Sequence, residues 1–153
     1  MQMVPEGILF FMHQAFDGMM QIAEELGDER VNQHPDLPEA NSPYVILAHC
    51  VGLTHYWIGE VLAGRQVHRD REAEFSAQGT VAEMRQAVRD LQAQLQEDIT
   101  HVQVDQPLAH PLAPRHQQRM QDWRQGMVLL QCCKELAQHH GHMDLTRDLL
   151  MRQ

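Results

Sequence analysis

Apolar residues recur at steps of three and four along four stretches of this sequence, which is the spacing of one face of an α-helix. The first stretch covers about residues 5–26, and Gly27 supplies a stop at its end. The second covers about residues 43–63, with Ser42 as its cap and Gly64 after its last turn. Each stretch therefore predicts a long helix that packs one face against a core.

Two further helices are predicted in the second half of the chain. The third covers about residues 81–102, and it opens with Thr80 followed three residues later by Glu83, which has the form of a capping box. The fourth covers about residues 123–151, and Asp122 resembles its cap.

The connections between these helices are polar or marked by proline, and they cover about residues 28–41, 65–79 and 105–119. No stretch has the alternating, β-branched pattern that predicts a strand. We therefore predict an all-α fold, a four-helix bundle, in a single domain over residues 1–153.

Composition and charge restrict the partners. The chain carries 21 acidic against 12 basic residues, a formal net charge of −9, so we expect no nucleic-acid partner. We find no apolar run near the roughly 20 residues that cross a bilayer, and the start of the chain lacks the basic residues of a signal peptide. We therefore expect no membrane partner and a cytoplasmic protein, in which the three cysteines stay reduced.

Eleven histidines are the unusual feature of the composition, and three of them lie close together near the end of the chain. On a helix each residue advances by about 100°, so Glu135 and His139 are neighbours one turn apart and His142 continues the same face. Burying such a polar stripe without partners is costly. The spacing predicts a site for a divalent metal ion.

His49 is the candidate for a further ligand from another helix. It lies in an apolar part of the second predicted helix, where an unpaired imidazole is poorly placed. Together with Glu135 and His139 it makes a mixed nitrogen and oxygen set of three ligands. Such a set suits Zn²⁺, Ni²⁺ or Fe²⁺ and leaves positions open for water or substrate.

Structural explanations also fit these residues. Glu135 and His139 have the spacing of an ordinary surface pair. The cluster of His139, His140 and His142 is also compatible with a solvated group that binds metal only adventitiously. His49 by itself is compatible with a core histidine bonded to a neighbouring acceptor.

Other candidates are less specific. Tyr56 shares the His49 face of its helix, so it either lines a pocket or packs in the core. Cys132 shares the His139 face, so it is either a fourth ligand, a reactive thiol or a small buried side chain. The last interpretation is favoured. His110 and His116 fall in a predicted loop and indicate nothing further.

Two motifs resemble those of the DinB-like metalloprotein superfamily, in particular its branch with mycothiol-dependent maleylpyruvate isomerase. They are His49…Trp57-Ile-Gly59…Leu62-Ala-Gly64-Arg65 and Glu135-x-x-x-His139-x-Gly141-His142-x-Asp144-x-x-Arg147. The resemblance implies an up-down-down-up four-helix bundle, a homodimer, and a divalent metal held by His49, Glu135 and His139. It also implies that His142 lies close to the metal, as a contact of the substrate or of the ligands.

Three hypotheses for function follow. The first is an enzyme whose metal activates water or a low-molecular-weight thiol, which then reacts with a small-molecule substrate. In it His142 carries a proton and Tyr56 orients the reacting groups. Thiol transfer or isomerisation is favoured over hydrolysis. The second is a non-catalytic helical protein with a structural metal, acting as a dimeric binding module. The third is a dimerisation module that uses Met12, Met19 and Met20 of the first helix.

Overall fold

The structure, a computed structural model, describes residues 5–108 and 110–152. Within these ranges the regular structure is helical, apart from one isolated bridge between Pro107 and Arg124. The helices are α1 (Pro5–Arg30), α2 (Pro43–Thr54), which continues as a π-helix (His55–Leu62), α3 (Arg71–Glu74), α4 (Val81–Asp98), which ends in a 3₁₀ turn (Ile99–His101), α5 (Pro114–Met120) and α6 (Gln125–Leu150). The all-α prediction is confirmed for the part of the chain described here.

Side chains cap two of the long helices as the sequence predicted. The Ser42 hydroxyl accepts a hydrogen bond from the Val45 N–H at 3.2 Å at the start of α2. At the start of α4, Thr80 and Glu83 exchange both bonds of a capping box. These bonds satisfy N–H groups that the first turn of a helix leaves without partners.

Glycines interrupt or end two helices. Gly27 has a φ of 69°, and one more turn of α1 follows it up to Arg30. Gly64 has a φ of 71° just after the π-helical segment. A positive φ is costly for residues with a Cβ, so glycine suits both positions.

The predicted cap of the last helix is wrong. Arg124, not Asp122, occupies the cap position of α6, and its side chain makes no capping bond. The next residue, Gln125, turns its amide towards the preceding loop instead. It accepts a hydrogen bond from the Gln103 N–H at 2.9 Å and donates one to the Pro107 carbonyl at 3.1 Å. These hydrogen bonds to the preceding loop therefore determine where α6 begins.

Two short helices lie in segments that the sequence predicted as loops. In α3 the Asp70 side chain accepts a hydrogen bond from the Ala73 N–H at 3.0 Å. In α5 Pro114 stands in the first turn, where its missing N–H is not needed. Both are a few residues long, below the length at which a hydrophobic period is visible.

The segment Pro43–Leu62 has about the predicted length, but it is more apolar than we expected. It is a 20-residue helix with a mean hydropathy of 1.3, so by length and composition it is able to cross a bilayer. In the fold, 67% of the apolar 18-residue window within this helix is buried. Burial on this scale is typical of a core helix, which needs apolar side chains on most of its surface.

Cross-helix contacts give the directions of the long helices. Arg30 donates to the Met151 sulfur, and Arg147 lies 3.8 Å from Glu25, so α1 and α6 run parallel. Thr54 of α2 contacts Cys132 of α6. His49, which comes earlier on α2, contacts His139, which comes later on α6. These two helices therefore run antiparallel.

Helix α4 lies on the other side of α1. Arg85 donates to Glu24 at 3.0 Å and Gln92 donates to Asp17 at 2.9 Å, which shows that the two helices run antiparallel. Gln96 extends the same row towards the start of α1.

The methionines proposed for dimerisation fill the core. Met12 and Met19 have no exposed surface and Met20 is 7% exposed, so none of them is available to a partner. The exposed apolar side chains of α1 are Phe10 at 61% and Phe11 at 58%. The dimerisation hypothesis in its original form is wrong, because those methionines face inwards.

Candidate metal centre

Three of the predicted ligands meet where α2 and α6 cross. One possible ligand atom from each of His49, Glu135 and His139 lies within 4.8 Å of the others. The rings of His49 and His139 are 4.9 Å apart and nearly perpendicular. The antiparallel packing of α2 and α6 brings these side chains together although about 90 residues separate them in the sequence.

A carboxylate fixes the orientation of the His49 ring. Nδ1 of His49 lies 2.8 Å from a carboxylate oxygen of Glu74. When Nδ1 donates its proton to this carboxylate, Nε2 carries the free lone pair that a metal ion needs. Histidine ligands in metalloproteins commonly have such a partner on their other nitrogen.

Glu74 is itself held firmly. It is 8% exposed, and Arg69 donates two hydrogen bonds to its carboxylate, at 2.6 and 2.9 Å. The carboxylate also lies directly against the backbone of Gly52 in α2, where there is no space for a Cβ. Sequence reasoning missed this residue, because the polar segment between the second and third helices has no periodicity.

Glu135 and His139 are one turn apart on α6, as predicted. Gln131, one turn earlier, donates a hydrogen bond to the Glu135 carboxylate. Burial lowers the pKa of His139, and the neighbouring His49 lowers it further. His139 is therefore neutral at physiological pH, which is the form that binds metal.

The donor set fits a transition-metal ion. Two imidazoles and one carboxylate on facing helices are a common ligand set for Zn²⁺ and for other borderline metals. All three side chains are half-buried, so an ion held between them would be accessible from the surface. No other group of this kind occurs among the residues that the structure describes.

Two cavities adjoin the three side chains. One has a volume of about 290 Å³ and is lined by His49 and Glu135, by Trp57, and by arginines from α3 and α5. The other has a volume of about 190 Å³ and is lined by His49, His139 and His142. The candidate ligands therefore face space that a small molecule can enter.

The comparison with protein families gives one match over nearly the whole chain. The description of the family is mycothiol S-transferase, and the match covers residues 8–151. The chain belongs to the mycothiol S-transferase family. This family is part of the DinB-like superfamily, so the predicted relationship is confirmed. No curated protein and no solved structure matches the chain.

In this member of the mycothiol S-transferase family, His142 lies beside the three candidate ligands. Its ring centre is 6.4 Å from that of His139, and the side chain is exposed at the edge of the smaller cavity. Its predicted catalytic role stays a prediction.

Tyr56 lies deeper in the fold. It is 4% exposed, and its hydroxyl accepts a hydrogen bond from the Ala113 N–H at 2.9 Å, just before α5. Its ring packs against Trp57, with centres 4.9 Å apart, and against His116 at 6.0 Å. The contacts place Tyr56 under the wall of the larger cavity, where it supports α5.

His116, which carried no signal in the sequence, lines the larger cavity. It lies on α5, and its ring centre is 4.8 Å from that of Trp57. Burial lowers its pKa, and Arg115 lowers it further, so the ring is neutral at physiological pH. Only the folding of α5 over α2 brings this residue to the cavity.

Cys132 is a buried structural side chain. It has no exposed surface, and its thiol contacts the Thr54 hydroxyl at 3.8 Å. Burial raises the pKa of the thiol far above its usual range. A thiol that stays protonated is a poor ligand and a poor nucleophile.

Proposed function

We propose that this chain is a metal-dependent S-transferase that joins a low-molecular-weight thiol to a small-molecule substrate. The observation that carries the proposal is the meeting of His49, Glu135 and His139 beside two open cavities. Membership of the mycothiol S-transferase family supports thiol transfer in particular, and it makes mycothiol or a related thiol the expected cosubstrate.

The three side chains are proposed to hold Zn²⁺, Ni²⁺ or Fe²⁺. When bound there, such an ion supplies a Lewis acid that lowers the pKa of a thiol or a water. The bond between His49 and Glu74 keeps the ring in place when the site is loaded, and Gln131 does the same for Glu135. These bonds already restrict the side chains of His49 and Glu135 before an ion binds, so less conformational entropy is lost on metal binding.

In the proposed reaction the thiol S–H bond breaks and a bond forms between sulfur and an electrophilic carbon of the substrate. His142 accepts the thiol proton at an imidazole nitrogen. The electron pair displaced from the electrophilic carbon leaves with a leaving group, or moves through a double bond when the substrate is an activated alkene. The His142 imidazolium then returns its proton to the atom that carries this pair, so atoms and charge balance. Tyr56 supports the wall of the cavity through α5.

Two other functions use the same residues. Hydrolysis differs only in the nucleophile, water instead of thiol, and the family favours the thiol. A purely structural ion, in a dimeric binding module, fits less well, because structural sites usually have four protein ligands and no adjoining cavity. Here three ligands border open space.

We further propose the architecture that the superfamily implies, a four-helix bundle of up-down-down-up type formed by α1, α2, α4 and α6. The parallel pair α1 and α6, with α2 and α4 antiparallel to them, supports this arrangement. We also propose a cytoplasmic homodimer, and the exposed pair Phe10 and Phe11 on α1 offers an apolar contact for it. Light scattering of wild type and of Phe10→Ser, Phe11→Ser tests the dimer.

The experiment that tests the function begins with metal analysis of protein purified without a histidine tag. We expect about one divalent ion per chain, and loss of most of it in His49→Ala and His139→Ala. His101→Ala is the matched control, because His101 is exposed and lies on the 3₁₀ turn after α4. Full occupancy in His49→Ala would contradict the ligand assignment.

Activity is then measured on the metal-loaded protein with mycothiol and a panel of electrophiles, followed as loss of free thiol. Chelation should abolish turnover, and His49→Ala should be inactive. Hydrolysis of the panel without thiol consumption would favour the hydrolase instead. A large fall in melting temperature on chelation, with no turnover of any kind, would favour the structural ion.

A further inference from the structure

The larger cavity beside the candidate ligands has a basic wall. Arg69, Arg71 and Arg115 all line it, together with His49 and Glu135. The chain as a whole has a formal charge of −9, so this concentration of positive charge is local. Clefts lined by charge of one sign attract ligands of the opposite sign.

Among the residues that the structure describes, only one of the three arginines in this wall forms an ion pair with a carboxylate. Arg69 is neutralised by its bidentate pair with Glu74. Among the residues that the structure describes, neither Arg71 nor Arg115 has a carboxylate within 4.0 Å. Arg115 donates one hydrogen bond, from Nε to Nε2 of His116 at 3.1 Å. Its remaining guanidinium N–H groups, like those of Arg71, have no acceptor among the described residues and face the cavity.

Aromatic rings hold both guanidiniums in place. The guanidinium carbon of Arg71 lies 5.2 Å from the ring centre of Phe75, and that of Arg115 lies 5.6 Å from the ring centre of Tyr56. Contact through the flat face of a guanidinium leaves its edge, which carries the N–H donors, available to an acceptor. The two arginines come from two different helices, α3 and α5, and both line the cavity.

We propose that Arg71 and Arg115 form an oxyanion subsite next to the metal centre, and that the substrate or the thiol carries a carboxylate or phosphate group that binds there. This inference rests on the proposed function, which it extends by naming a charged group on the small molecule. The planar fork of arginine matches both groups with paired hydrogen bonds. Binding there would position the reactive part of the molecule beside His49 and Glu135.

The test measures anion binding on metal-free protein, so that it is independent of the metal and of turnover. The probes are succinate, its uncharged dimethyl ester and inorganic phosphate, titrated calorimetrically or through amide NMR shifts. We expect succinate or phosphate to bind and the ester not to bind. The tighter of the two anions identifies the group that the subsite prefers.

Variants locate the binding. Arg71→Gln and Arg115→Gln should each weaken binding of the preferred anion by roughly tenfold or more, since each removes charge-assisted hydrogen bonds. Arg71→Lys and Arg115→Lys keep the charge and should lose less. Arg89→Gln, an exposed position on α4, removes the same charge elsewhere and should change the dissociation constant by less than about twofold. Melting temperatures and zinc titrations check that all variants keep the fold and the metal centre.

Three outcomes would overturn the proposal: binding of the ester as tight as that of succinate, unchanged anion binding in both glutamine variants, or an equal loss in Arg89→Gln. None of these outcomes bears on whether the protein binds metal or transfers a thiol. Failure of the metal analysis, in turn, leaves this measurement unaffected, so the two proposals are tested separately.

Discussion

The carboxylate of Glu74 lies 2.8 Å from Nδ1 of His49 and joins the short helix α3 to the candidate metal centre. Glu74 reaches His49 because Arg69 neutralises its charge and Gly52 leaves space for it. The segment between α2 and α4 is therefore part of the site. It fixes which nitrogen of His49 faces the other two ligands.

Removing this carboxylate should weaken metal binding without removing a ligand. We expect Glu74→Gln and Glu74→Ala to lower zinc affinity by about 10-fold to 100-fold, because His49 loses the partner that orients it. Competition with a chromophoric chelator measures the change. Glu72→Gln, an exposed neighbour in α3, is the matched control and should bind zinc like wild type. Equal affinity in all variants would mean that Glu74 has no role in orientation.

A methyl group at position 52 should disturb the hydrogen bond between Glu74 and His49 by displacing the Glu74 carboxylate. The Cβ of Gly52→Ala would overlap the Glu74 carboxylate, so we expect weaker zinc binding. Gly141→Ala on α6 has open space around its Cβ and should leave affinity unchanged. In both variants alanine favours the helix by up to about 1 kcal/mol. A loss of affinity in Gly52→Ala without a loss of helix content therefore separates the contact from general destabilisation.

The ion pair between Arg65 and Asp98 should be asymmetric in its contribution to stability. Arg65 donates a hydrogen bond of 2.8 Å to each carboxylate oxygen of Asp98. Asp98 is 2% exposed, whereas the Arg65 side chain is 30% exposed. Arg65→Met strands a buried carboxylate and should cost about 3 kcal/mol of unfolding free energy. Asp98→Asn leaves an arginine that reaches water and should cost about 1–2 kcal/mol. Urea unfolding measures both, and a larger loss in Asp98→Asn would contradict this account.

Acid should destabilise the fold partly through His55. Burial lowers the pKa of His55 below 6.5, and the nearby Arg65 lowers it further, since its guanidinium donates to Nδ1 of the ring at 3.3 Å. The unfolded chain then takes up this proton at a higher pH than the folded chain. The contribution of neutral His55 to the free energy of unfolding is therefore fully present above pH 6.5. It is lost as the pH falls from 6.5 through the lowered pKa of the folded chain.

The variant His55→Gln keeps an acceptor for Arg65 but does not titrate. We expect its urea midpoint to fall less between pH 7 and pH 5 than that of wild type. His101→Gln, at an exposed position, should follow wild type. Identical pH profiles for wild type and His55→Gln would assign the acid sensitivity to other groups, such as His13 and His116, whose pKa values burial also lowers.

The helices were predictable because their signals are local. Ser42, Thr80 with Glu83, and Gly64 act within one turn of the helix end, so the sequence predicts them correctly. The start of α6 was mispredicted because Gln125 bonds to Gln103 and Pro107, which belong to another part of the chain. Such contacts leave no trace in helical periodicity.

The sequence by itself determined the four long helices and the spacing of Glu135 and His139 one turn apart, because helical periodicity is a local property. It offered His49 as a candidate partner, but the antiparallel packing of α2 on α6 brings His49 to the other two side chains. The tertiary structure decided which side chains surround them. Glu74, Arg71, Arg115 and His116 come from short helices and loops without a periodic pattern, and only the folding of these segments over α2 brings them to the candidate metal centre. Their positions depend on distances between segments far apart in the chain, which no local pattern encodes.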